Sequence, residues 1–119
     1  MTHTQNLFRQ TAELHSLISG LEHVADHPKG HTKKLLRYRS ICGAEIAVEK
    51  RQGVPLLYFS RTVAGNRLDT LFPEWVEAGT TGRNSNLNSL ETFKNKALAR
   101  LRVTTLETAR KALDACVSK

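Results

Sequence analysis

The chain has 119 residues, with 18 Lys and Arg against 11 Asp and Glu, a formal net charge of +7. That length predicts one small α+β domain over residues 1–119, with room for a single core and too little chain for most multidomain enzymes. Hydrophobic residues make up 39% of the chain, and no apolar run approaches the roughly 18 residues of a membrane span, so no membrane partner is expected.

The first predicted element is a helix from Gln5 to His27, capped by Thr4 and stopped by Pro28 and Gly30. Leu7, Thr11, Leu14, Ile18, Leu21 and Ala25 recur at spacings of four and three, and Phe8, Leu17 and Val24 widen the stripe. Such a stripe either packs on the domain core or pairs residues 5–27 of two copies in a homodimer. A strand follows from Leu36 to Glu49, with Leu36, Tyr38, Ser40, Cys42, Ala44, Ile46 and Val48 on one face. Arg37, Arg39, Glu45 and Glu49 fall on the other face.

Lys50-Arg51-Gln52-Gly53 reads as a hairpin turn into a second strand from Pro55 to Val63. Ala64-Gly65-Asn66 leads to a third strand from Arg67 to Phe72, giving a three-stranded antiparallel meander. Residues 76–88, rich in Gly, Thr and Asn, read as a mobile loop. Two C-terminal helices then pack on the sheet, one from Ser89 to Leu101 and one from Thr104, where Glu107 completes a capping box. This α-β-β-β-α order is similar to that of several small nucleic-acid-binding folds, the double-stranded RNA-binding domain among them, without their diagnostic motifs.

The charge is concentrated. Residues 32–67 hold eight basic and two acidic side chains, and residues 89–119 hold seven and three, against acidic excesses elsewhere. Two blocks of one sign suit a polyanion. Arg37, Arg39 and Arg61 on an open sheet face, with Lys33, Lys34, Lys50 and Arg51 around it, would meet phosphates at strand spacing. Lys94, Lys96, Arg100 and Arg102 would add contacts from the helices. Cross-strand pairing with Glu45 and Glu49 is the competing use of the strand arginines.

Residues 96–113 are similar to a helix-turn-helix unit, with Ala99 as its small residue and Thr104, Thr105, Thr108 and Arg110 facing bases. The turn position that such a unit fills with Gly is Val103, and a plain helical hairpin competes. His23, His27 and His31 are spaced by four, the first two one helical turn apart, which a metal ion would need; a helix C-terminus also favours histidine without any metal.

Cys42 and Cys116 have no motif context and read as buried thiols of a cytoplasmic protein, since Met1–Gln5 resembles no secretory signal. Gly79-Thr-Thr-Gly82-Arg83 lacks the Lys-Ser/Thr of a P-loop, and no carboxylate pair suggests hydrolysis. Trp75 reads as a core plug or as the anchor of a protein interface. The expectation is therefore a small non-enzymatic protein, without a cofactor, that binds DNA or RNA. An adaptor or inhibitor docking on an acidic protein is the alternative.

Overall fold

The computed structural model describes residues 3–41, 43–51, 54–71, 73–77 and 85–117, with the side chains of residues 3–10, 85 and 86 excepted. It contains a helix α1 (His3–Ser19) and strands β1 (Val24–Asp26), β2 (Leu35–Ser40), β3 (Glu45–Glu49) and β4 (Leu56–Ser60). These are followed by a short helix α2 (Arg61–Ala64), β5 (Glu74–Val76), β6 (Leu98–Arg102) and helix α3 (Leu106–Val117). The strands form one antiparallel sheet in the order β1-β2-β3-β4-β6-β5. This corrects the expected three-stranded meander with two C-terminal helices. The α+β class stands, and the α-β-β-β-α order does not.

Each correction has a local cause. The α1 stripe runs on past Ser19, but Gly20 makes the last helical bond, to Ser16 O at 3.0 Å, and glycine weakens a continuing helix. The chain then turns through Leu21 and lays β1 along the free edge of β2, where backbone groups find partners. The expected strand 36–49 is two strands joined by a tight turn, with Gly43 in the left-handed region at φ 91° and the Ser40 hydroxyl accepting Ala44 N–H. Part of the expected third strand is instead a 3₁₀ turn (Asp69–Leu71), and the strand lies later, at β5.

The expected helix 89–101 is also replaced. Leu90 N–H bonds to Leu87 O, Phe93 N–H to Leu90 O and Lys96 N–H to Phe93 O, a run of three-residue turns. That period places Leu87, Leu90 and Phe93 in one row, and all three are fully buried. Asn95, at φ 56°, ends the run, and β6 begins at Leu98. Every residue of β4 is buried, so both its edges need backbone partners; β3 supplies one and β6 the other. With Leu98–Arg102 in the sheet, the helix-turn-helix reading is overturned. The last helix is present, capped by Thr105 rather than Thr104: its hydroxyl accepts Thr108 N–H at 3.2 Å.

The sheet is covered on both faces. On one, α1 and α3 bury Leu36, Tyr38, Ile46, Val48, Leu57, Phe59, Ala99 and Leu101. Leu14 and Ile18 of the α1 stripe are spent in this core; the side chains of Leu7 and Phe8 lie outside the described residues. On the other face the 87–93 row covers Leu35, Ala47, Leu56, Tyr58 and Leu98. The part of the expected mobile loop at 78–84, Cys42 and the turn residues Gln52 and Gly53 also lie outside the described residues. No helix among the described residues is long and apolar enough to cross a membrane.

The second layer gives a direct test. Phe93→Ala is expected to cost about 3–5 kcal/mol by urea unfolding, because it removes a fully buried ring from the apolar cover of that face. Lys94→Ala, one residue on and exposed, should stay within about 0.5 kcal/mol. Equal effects would show that the row does not cap the sheet.

Candidate nucleic-acid interface

Strand directions determine where the basic residues gather. Leu35 pairs with Glu49, Glu49 with Leu56 and Leu56 with Arg102, so these residues mark one end of the four central strands. Lys33 and Lys34 enter β2 there, Lys50 and Arg51 leave β3 there, and Arg102 closes β6 there. Lys50 N–H donates to Lys34 O at 2.9 Å, and Val103 N–H to Pro55 O at 3.0 Å, which ties the neighbouring segments together. All five side chains are exposed. Three strand intervals of about 4.8 Å spread them over roughly 14 Å.

The other expected contacts go elsewhere. Arg39 is exposed near the opposite end of the sheet, opposite Glu45 in the register. Arg61 opens α2 at that opposite end, with its N–H on Ala97 O at 3.1 Å, and exposed Lys94 and Lys96 lie in the segment before it. Arg100 is half-buried beside β5, with Nε donating to Glu74 Oε1 at 3.1 Å. That hydrogen bond, outweighing partial burial and aided by the charges of Arg102 and Arg51, holds the Glu74 carboxyl below its ordinary value. The two sequence blocks are thus re-sorted. Each contributes residues to both ends of the sheet.

Arg37 lies within the fold at 7% exposure. Its guanidinium donates to Gly30 O (2.5 Å), Lys29 O (2.7 Å) and Ser89 Oγ (2.8 Å). It shares a sheet face with Arg39 as expected, but at Arg37 that face is closed by the 27–31 loop and the Ser89 turn. Nothing in a period-two pattern reports a cover contributed from 50 residues away.

The histidines are separated by the same loop. His27 Nδ1 accepts Lys29 N–H at 3.1 Å, so Nε2 carries the proton and donates to Glu45 Oε2 at 2.5 Å. His31 Nδ1 accepts Arg37 N–H at 2.9 Å and its Nε2 reaches Asp26 Oδ1 at 3.2 Å, next to Tyr38 on the helix-covered face. His23 and His27 flank β1 rather than riding a helix. No group of three His, Cys, Asp or Glu among the described residues is arranged to hold a metal ion.

Two buried carboxylates anchor the covered face. Glu45 Oε1 accepts both the N–H and the hydroxyl of Thr92, at 2.9 and 2.6 Å. Burial raises the Glu45 carboxyl, but the Thr92 and His27 hydrogen bonds prevail and hold it below its ordinary value. Glu49 Oε1 accepts the Tyr58 hydroxyl at 2.6 Å, and burial together with that carboxylate pushes the phenol far above its ordinary range. Pairing of Glu45 and Glu49 with the strand arginines is the competing expectation from sequence. Their main partners are Thr92 with His27, and Tyr58.

No protein family, curated protein or solved structure matches the chain.

Because the folded Glu45 carboxyl titrates below its ordinary value of 4.5, its contribution to stability is fully present above that value and is lost as pH falls through the folded value. Glu45→Gln should therefore be less stable than the parent at neutral pH, with a shallower loss of stability between about pH 5 and 3. Urea midpoints across that range check it, and parallel curves would contradict the Thr92 and His27 assignment.

Proposed function

We propose that this chain is a small non-enzymatic nucleic-acid-binding protein. Its phosphate-contacting surface centres on the end of the sheet where Lys33, Lys34, Lys50, Arg51 and Arg102 meet. The observation that carries the reading is that convergence: five exposed cations from three separate stretches of chain lie at one end of a doubly covered sheet. Glu49 and Glu74 offset part of this charge, through Arg51 and through Arg51 with Arg102, and the five cations outnumber them. Arg51 is 3.9 Å from Glu49, a long contact that leaves it available to an anion. Cations gathered at strand ends match a phosphate backbone in charge and supply affinity without base specificity.

Arg39, Arg61, Lys94 and Lys96 form the second part of a bipartite surface at the opposite end. Cytoplasmic residence belongs to the same reading. Burial pushes the Cys116 thiol up to about 11, which leaves it an inert core thiol suited to a reducing compartment.

Binding of labelled random single-stranded and duplex oligonucleotides, followed by anisotropy across a salt series, tests the proposal. Contact with about four phosphates gives a log–log salt slope of roughly −3 to −4. Lys34→Glu, Lys50→Glu and Arg102→Glu combined should abolish binding at moderate salt. Lys111→Glu, on the exposed face of helix α3 beside Glu107, should change it little. Absence of binding at low salt overturns the reading, and equal binding of polyglutamate replaces it with an acidic protein ligand.

A further inference from the structure

Trp75, the chain's single tryptophan, is not a core plug: it is 44% exposed on β5, the last strand at one edge of the sheet. It sits opposite Ala99, a buried small residue, so the indole stands over sheet that offers it little side-chain cover. The Arg61 guanidinium carbon lies 5.9 Å from the ring centroid, near the outer limit for a cation over an aromatic face. Arg61 is exposed at the first position of α2, and its long side chain can move outward without disturbing the core. An outward movement of the guanidinium opens the indole face to a flat ring.

Beside Arg61 a concavity of about 510 Å³ is lined by Ser60, Thr62, Glu77, Lys96 and Ala97. Its hydroxyls lie beside the exposed Arg61 guanidinium, while Lys96 and Glu77 on its wall already have partners.

We infer that Trp75 and Arg61 form a stacking site for an unpaired nucleobase, with the adjoining concavity taking its sugar and phosphate, and that the ligand is single-stranded. This inference rests on the nucleic-acid reading above and specifies it. Trp75 stands in the Ala99 row on the helix-covered face, whereas Arg102 stands in the Leu56 row on the other face. A strand that engages both therefore passes around the β5 edge of the sheet. Aromatic stacking combined with a cationic track is the arrangement that single strands require, whereas a duplex keeps its base faces internal.

A protein hot spot would instead need an apolar surround. The other exposed large hydrophobic among the described residues is Ile41, at the β2–β3 turn and therefore well across the sheet from β5.

Because Trp75 is the sole indole, its emission reports on the site directly. A short oligothymidylate should quench it in parallel with the anisotropy of binding. An oligomer of the same length made of abasic residues should bind through phosphates without quenching. Trp75→Ala should weaken oligothymidylate binding by about ten- to one-hundred-fold, and Trp75→Phe should retain most of it. Neither should shift the thermal midpoint enough to unfold the protein, and neither should alter the salt slope, since the lost contact is not ionic. Saturable binding with unchanged emission, or a duplex that binds as tightly as the single strand, overturns the stacking site and leaves the basic end intact. Absence of binding by every oligonucleotide at low salt overturns both.

Discussion

Arg37 carries a permanent charge into the protein interior, and that burial is tolerable only if each nitrogen of the guanidinium has a partner. The partners are two carbonyls from the 29–30 turn and the hydroxyl of Ser89. Three parts of the chain, β2, the loop after β1 and the turn that opens the second cover layer, are thereby fixed to one side chain. The backbone of the same residue completes the attachment: its N–H goes to His31 and its carbonyl receives His27 N–H. Removing the guanidinium would leave those carbonyls without their donors and free the loop that orients both histidines. The Glu45–Thr92 contact repeats the device a few residues on, again joining a strand to the cover through a buried charged group.

How far such a fold is legible in sequence depends on parity. Arg39 pairs with Glu45, and both numbers are odd, so the β2–β3 turn preserves the alternation of inward and outward residues. The run from Leu36 to Val48 consequently reads as one long strand although it reverses direction halfway. The assignment of residues to faces survives this, and Arg37, Arg39, Glu45 and Glu49 do share a face. What local pattern does not contain is the identity of the cover. The 87–93 row shares its spacing of three with a helix, and only its mainly i to i+3 bonding, with a single i to i+4 bond from Lys94 to Leu90, shows that it is a chain of tight turns. Leu98 to Leu101 satisfies helical and strand periodicities alike, and the unpaired edge of β4 decides between them.

The basic surface illustrates the same limit. Net charge and its clustering are written in the sequence, and residues 32–67 do supply four of the five cations at the basic end. The fifth, Arg102, comes from the other block through a strand that the local pattern reads as helix. Trp75 was visible as a lone aromatic next to a proline, but its exposure follows from the three-residue length of β5 and its position at the sheet edge.

The insertion of β6 between β4 and β5 has a consequence during synthesis. As the chain leaves the ribosome, β1 to β4 can assemble into a meander, yet β4 then presents an open edge with the sequence Leu56-Leu57-Tyr58-Phe59-Ser60. Both flanks of that strand are apolar, and its proper partner is more than 40 residues downstream. Until Leu98–Arg102 emerges, the nascent chain carries a ready template for strand addition by any neighbouring polypeptide. A message cut short before that point would yield an aggregation-prone fragment rather than a smaller working domain. Integrity of the sheet is therefore decided by a segment translated well after the strand that it completes.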